Sequence, residues 1–380
     1  MRLGDICSKI GSGATPRGGK EAYSASGIPI IRSQNVLDWS FSSNGLAYLN
    51  DEQARTLSNV EVHQGDILLN ITGDSVARAC IVPSDVIPAR VNQHVAILRP
   101  KEKANATFIL AWLQTNKDLL LKLASSGATR NALTKRMLEG LDINLPSIDI
   151  QNHIAALISL IQSKINLNIK LNGYLLELAT TRFEQALFKS NRVVRLGDIV
   201  KLEDSKRVPL NSRDRDARKG PYPYYGATSI MDYVDDYLFD GIRVLLGEDG
   251  SVIDESGRPI LQYVWGKYWV NNHAHILAAA SDYSLEAIYI ALQRTPISHI
   301  VTGAVQRKIS QRNLNKLKLE MPDAKSLEYL QDIFAAYRCN CEENRGLVSL
   351  RDALLPKLMS GEIDVSKIDL MQLNSHLAEY

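Results

Sequence analysis

Between Leu145 and Lys189 the apolar residues recur at Ile154, Ile158, Ile161 and Ile165, and the same register continues through Asn168, Asn172, Leu175 and Ala179. Alternating steps of four and three put these positions on one seam of a long helix. A second stripe, Leu157, Leu160, Leu167, Leu171 and Leu178, is expected to widen the buried face against a partner helix of similar length. From Ile150 to Lys189 the helix would run on the order of 60 Å at 1.5 Å per residue, longer than a compact domain requires. The element reads as a spacer.

Its partner lies in the same chain. Leu330, Ile333, Phe334, Tyr337, Cys341, Asn344, Leu347 and Leu354 repeat Ile154, Leu157, Ile158, Ile161, Ile165, Asn168, Leu171 and Leu178 at one constant offset. The offset extends upstream, pairing Pro146 with Pro322, Leu138 with Leu314, Leu133 with Ile309 and Gly127-Ala128 with Gly303-Ala304. Near the front of each half, Arg2-Leu3-Gly4-Asp5-Ile6 returns as Arg195-Leu196-Gly197-Asp198-Ile199. Likewise Val91-Asn92-Gln93-His94 with Ile97-Leu98 returns as Val270-Asn271-Asn272-His273 with Ile276-Leu277. The chain is a duplication: globular unit, long helix, globular unit, long helix. An antiparallel helix pair would close it with pseudo-twofold symmetry, and Asn168 and Asn344 at matching seam positions would fix the register. The second helix is expected to begin after Pro322, to be interrupted near Pro356 and to stop by Gly361.

Residues 1–145 and 191–321 are the expected globular domains, 146–190 and 322–362 the helices, and 363–380 a tail. In the first domain short β-type runs (Ile28 to Arg32, Asp66 to Ile71, His94 to Arg99) and one helical stretch, Thr107 to Ala124, predict an α+β fold. With 380 residues, 45% of them hydrophobic, there is material for real cores. No apolar run is long enough for a membrane span or signal peptide, so the chain is expected in the cytoplasm. A net charge of +2 neither announces nor excludes a nucleic-acid partner, so the distribution of charge has to decide.

That distribution is suggestive. From Thr302 to Leu319 the chain holds Arg307, Lys308, Arg312, Lys316 and Lys318 without an acid, and the equivalent place in the first half has Arg130, Lys135 and Arg136. Basic patches recurring at duplicated positions fit contact with phosphates. A glycine-rich loop carries Arg17 and Lys20, but it lacks the first glycine of a nucleotide cradle, at Ala14, and its Ser or Thr, at Glu21. Base-reading side chains near turns and basic patches are Arg32, Gln34, Asn35, Arg78 and Arg90 in the first half, and Tyr225, Thr228, Lys267 and Gln306 in the second. His273 and His275 would share a side of a strand, yet no third metal ligand accompanies them. Cys7, Cys80, Cys339 and Cys341 form no C-x-x-C pair and read as thiols. No nucleophile-base arrangement, H-E-x-x-H or complete P-loop stands out, and Pro322-Asp323 has no acid-x-Lys downstream. The pattern is that of a scaffold that recognises.

The order of these motifs resembles the DNA-specificity subunit of type I restriction-modification systems. The resemblance rests on the opening R-L-G-D-I, the central L-P-x-x-x-x-Q-x-x-I from Leu145 to Ile154 with Asn168, Lys170, Leu171 and Asn172, and the ending from Leu350 to Ile363. It implies two target recognition domains, each reading half of an asymmetric bipartite site in double-stranded DNA. It further implies that the paired helices set the spacer and dock two methyltransferase subunits, with two motor-endonuclease subunits joining for cleavage. S-adenosylmethionine, ATP and magnesium would be bound by those partners, with no cofactor or catalysis in this chain. A stand-alone DNA-binding or regulatory scaffold of the same architecture is the alternative, and a nuclease with an unrecognised active site is a weaker one.

Overall fold

A computed structural model describes residues 1–16, 18, 22–125, 131–303 and 306–368. The chain divides into two compact units, Met1–Asn168 together with the segment from Glu343 onward, and Ile169–Glu342. Each holds a globular head and a piece of both long helices.

The heads repeat one topology. In the first unit an antiparallel sheet runs Cys7–Ser12, Val95–Pro100, Ile67–Asn70, Ala79–Ile81 in spatial order, and in the second unit Val200–Leu202, Ala274–Ala279, Arg243–Gly247, Leu261–Val264 follow the same order. A second sheet has Ala47–Leu49, Ile28–Ile31, Ala89–Val91, Glu61–Val62 in the first unit, with one parallel pair at its centre, Ile30 beside Arg90. Its counterpart is Ile230–Val234, Lys219–Tyr225, Lys267–Val270, Phe239–Asp240, again with a central parallel pair, Tyr224 beside Trp269. Every residue of Ile67–Asn70 is buried, which is why Ile67, Leu68 and Leu69 form an apolar run instead of an alternating one.

The repeated R-L-G-D-I is a one-turn helix in both units, with Leu3, Ile6, Leu196 and Ile199 inserted into the cores. The expected single helix from Thr107 to Ala124 is two, Ala106–Thr115 and Lys117–Ser125. The first ends at Asn116, whose side-chain amide donates back to the Trp112 carbonyl at 2.9 Å and closes the turn.

The central helix spans Ile148–Lys189, 42 residues, and the C-terminal helix Tyr329–Ser360, 32 residues. In the first unit the seam pairs them antiparallel. Ile154 and Ile158 enter the head core with Leu355 and Leu358, Ile161 and Ile165 close on Leu347, and Asn168 donates to Asn344 at 3.0 Å. In the second unit Asn172 donates toward Cys341 Sγ at 3.2 Å and accepts from Asn340 at 2.8 Å, while Ala179 and Phe183 pack in one core with Leu330 and Phe334. Tyr337 lies edge-on to Trp265.

Two expectations about the helices are corrected. The second stripe is not a buried face: Leu157 is buried, but Leu167, Leu171 and Leu178 are 59%, 43% and 42% exposed. One partner helix covers one seam, and a second stripe needs a second partner. Nor does Pro356 interrupt the C-terminal helix, which runs through it to Ser360 and stops at Gly361 with φ of 80°. Leu355 and Leu358 on either side are sunk into the first core, and their burial offsets the hydrogen bond that proline removes.

Candidate nucleic-acid interface

The repeated V-N-x-H segment is a turn that leads into the central strand of the first sheet of each head. Asn92 and Asn271 are buried, and each side-chain oxygen accepts the amide of its own histidine, His94 at 3.0 Å and His273 at 2.8 Å. This places the imidazoles at the sheet's end. The loop after the third strand comes alongside, with the Ile71 amide on the His94 carbonyl at 3.0 Å and the Glu248 amide on the His273 carbonyl at 2.8 Å. Next to it the basic segment docks: Leu133 donates to Ile71 and Ile309 to Glu248, both at 2.8 Å, while Gly73 and Gly250 donate to Asn131 and Arg307. One backbone hydrogen-bond frame thus recurs in both heads and gathers the histidine turn, the loop and the basic segment into one rim.

Short helices complete the rim. Thr134 and Ser310 cap Lys135–Glu139 and Gln311–Asn315 by accepting the Met137 and Asn313 amides. Lys135 and Arg136 in the first unit, and Gln306, Arg307, Lys308, Arg312 and Lys316 in the second, are exposed there, whereas the exposed Lys318 lies in a separate strand opposite Arg195.

The side chains that the frame carries differ. In the first unit His94 Nδ1 meets the Thr72 hydroxyl at 2.6 Å, and a cleft of about 440 Å³ opens between Gln34, Thr72, Asp74, Arg78 and His94. In the second, His273 Nδ1 meets Asp249 at 2.6 Å, and a charged network lies beneath. Asp204 accepts from His275 Nδ1, from Gln311 Nε2 and from the Ile276 amide, at 2.6, 2.6 and 2.9 Å. Glu248 pairs with Arg207 at 2.6 Å and with Lys308 at 3.2 Å. Burial alone would raise both carboxyls. The hydrogen bond and charge of His275 outweigh it at Asp204, and the Arg207 hydrogen bond with the His275 charge does so at Glu248, so both are held below the ordinary range.

Most of the basic candidates described lie on or near these rims. Gln34 is exposed, with its amide reaching the Gly45 carbonyl at 3.1 Å, and Arg32 sits over the Tyr23 ring while donating to the same carbonyl. Thr228 is exposed in the turn before Ile230–Val234, and the exposed Lys267 extends over the Tyr237 ring at 4.6 Å. Arg17, Lys20 and Arg130 lie outside the described residues, as do Gly127, Ala128 and Ala304 of the repeat.

Three candidates are corrected. Asn35 is fully buried and holds its own loop, donating to the Ser42 and Asn44 carbonyls. Arg90 is 7% exposed, bonded to the Ala54 and Ala89 carbonyls and paired with Glu61 at 3.1 Å. Tyr225 packs edge-on against Tyr268 in a core. Side-chain type pointed to these residues, but the central strands that carry Arg90 and Tyr225, and the turn Ser33–Asn35 that buries Asn35, decided otherwise.

His273 and His275 do not share a metal-facing side. His273 precedes its strand and turns to Asp249, while His275 is buried between Asp204 and the Ile309 carbonyl, 2.8 Å from Nε2. Asp204, Glu248 and His275 do cluster within 4.8 Å, but Arg207 and Lys308 already supply the countercharge there. Thr72 and Asp249, the histidine partners, went unnoticed in the sequence. Their signal is position, immediately before Gly73 and Gly250 in the two equivalent loops.

Among the described residues no helix is long and apolar enough to cross a membrane. The family described as the type I restriction modification DNA specificity domain matches residues 1–175 and 189–337. The type I restriction enzyme MjaIX specificity subunit of Methanocaldococcus jannaschii is 22% identical over 411 aligned positions, covering 97% of this chain and 94% of that one. A Haemophilus influenzae protein named as a candidate type I specificity subunit, S.HindORF215P, is 30% identical over 127 residues, about a third of either chain (33% and 32%). The crystal structure of the type I restriction-modification S subunit of M. genitalium shares the fold, with a TM-score of 0.56 at 15% identity over 94% of this chain and 95% of that one. With two matched copies of the domain on a duplicated frame, the chain belongs to the family of type I restriction-modification specificity subunits, the non-catalytic components of their complexes.

Proposed function

We propose that this chain reads an asymmetric bipartite site in double-stranded DNA, one head per half-site. The observation that carries this reading is the recurrence of one hydrogen-bond frame with different side chains on it: Thr72, His94, Gln34 and Arg78 in one head, Asp249, His273, Arg307 and Lys308 in the other. Equal frames favour the same mode of approach to the duplex, and unequal side chains favour different base sequences. The exposed cations of the rims, Lys135, Arg136, Arg307, Arg312 and Lys316, would hold the phosphates.

The paired helices set the unread spacer and dock two methyltransferase subunits, with two motor-endonuclease subunits joining for cleavage. Support comes from the central helix, where Leu171, Tyr174 and Leu178 follow at steps of three and four and stand 43%, 55% and 42% exposed, an apolar face that association would cover. S-adenosylmethionine, ATP and magnesium belong to those partners, and the complex works in the cytoplasm.

The test is a single-molecule map of adenine methylation in cells with and without this chain, each supplied with its methyltransferase subunit. A bipartite motif that depends on the chain is the expected result. No new motif from a folded, associated pair would overturn the reading and favour a DNA-binding scaffold without a modification partner.

A further inference from the structure

Among the described residues of the first unit, directional ties join the head to the helix pair at two places, beside an apolar contact. The first tie is Gln151, 1% exposed near the start of the central helix. It accepts from the Asn105 amide at 2.9 Å and donates to the Pro146 carbonyl at 2.9 Å and to the Lys103 carbonyl at 3.2 Å. At the same place the Asn105 side-chain amide also donates to Asn152 of the central helix at 2.9 Å. The second is Arg351 of the C-terminal helix, 7% exposed. Its guanidinium lies 4.9 Å from the centre of the Trp39 ring, donates to Gln162 of the central helix at 2.9 Å and pairs with Asp352 at 2.8 Å.

Trp39 is fixed on the head side. Its amide donates to the Ala79 carbonyl at 3.0 Å, and neighbouring Asp38 accepts from Gln114 at 3.1 Å and pairs with Lys117. Trp39 also takes φ of 64°, a left-handed conformation that disfavours a large side chain. Such strain persists where surrounding contacts over-determine the residue.

Gln151 and Gln162 lie eleven residues apart, about 16 Å along the helix. Leu355 and Leu358, packed in the head core, add affinity without direction. Two directional ties at separate points fix an angle, whereas one alone is a pivot. Arg351 is suited to the second because its planar fork stacks and hydrogen-bonds at once.

We propose that Arg351 and Trp39 are a specificity-determining pair that selects the length of the unread spacer, by locking the first head at one angle on the helices. The proposal rests on the bipartite reading above. A displacement of the reading surface by one base step, about 3.4 Å, would bring a neighbouring spacer length into register. The second unit has a parallel contact: Arg338 of the same helix lies 5.9 Å from the Tyr263 ring centre and donates to Glu286 at 3.3 Å.

The experiment uses the full chain with its methyltransferase subunit, in cells carrying plasmids whose two native half-sites are separated by the native spacer or by one base pair more or less. Arg351→Ala and Trp39→Gly are compared with wild type. Glycine removes the ring and adopts the left-handed conformation freely, which offsets part of the lost packing, so this variant tests the pair even if loss of the buried arginine proves too costly.

Methylation at the altered spacers, relative to the native one, should rise by about tenfold in either variant, the order of the one cation–ring contact that both remove. The bases read in each half-site should not change. Wild-type stringency in Trp39→Gly, or altered half-site bases with an unaltered spacer, overturns the proposal. A wild-type chain that directs no bipartite methylation overturns the functional reading itself, and the proposal with it.

Discussion

Asp204 shows how much of one head depends on a single side chain. It joins the imidazole of His275, the amide of Gln311 beside the basic rim and the backbone of the central strand, across separations of 71, 107 and 72 residues. Replacing it with asparagine leaves buried His275 without its carboxylate. Unfolding titrations should show a loss of about 3 kcal/mol, and an unchanged midpoint would refute this role.

The pH dependence follows from the same group and from Glu248. Both carboxyls are depressed in the folded chain below their ordinary values of 3.8 and 4.5, because hydrogen bonds and opposite charges outweigh burial. Their stabilisation is therefore present above those values and is lost as pH falls through the lower, folded ones. Thermal melts from pH 7 to 3 should hold level and then drop in the acid limb, less steeply in Asp204→Asn. The sequence does not reveal this network, because its members are adjacent only once the sheet has formed. In the first head Ile71 and Ala96 stand where Glu248 and His275 stand in the second, so the duplication offers no hint of it.

At the scale of elements, the long helices follow from their seam spacing, and two glycines interrupt otherwise good helical sequence. A β-carbon added at Gly173 or Gly346 meets nothing within 4 Å. Gly173→Ala and Gly346→Ala should each stabilise the chain by about 1 kcal/mol in denaturant titrations, and a loss would mean that the helices need the missing side chain. The seam was legible because a period of alternating four and three survives in any partner. The exposure of Leu167, Leu171 and Leu178 was not, because an apolar residue carries no mark of whether its partner is in the same chain or in another. Asn35, Arg90 and Tyr225 are buried for a related reason: residue type gives chemistry, while strand pairing, of Ile28–Ile31 with Ala89–Val91 and of Lys219–Tyr225 with Lys267–Val270, gives direction to Arg90 and Tyr225, and the loop carbonyls of Ser42 and Asn44 give it to Asn35.

For the molecule as a whole, the spacer reading makes a length prediction. Matched insertions of four helical residues after Asn168 and after Glu342 would lengthen the helix pair by about 6 Å, a little under two base pairs. The methylated motif should gain spacer length or disappear, and an unchanged motif would sink the idea that the helices measure DNA.

The duplication, the α+β heads, the two helices and their seam were determined by the sequence alone, because repeats and periodicities are local and survive without coordinates. The rims, the buried carboxylate network, the interior fates of Asn35 and Arg90, and the tie between Arg351 and Trp39 were decided only by tertiary structure. Each depends on groups far apart in the chain, whose distances and directions exist only after the sheets have paired and the helices have packed.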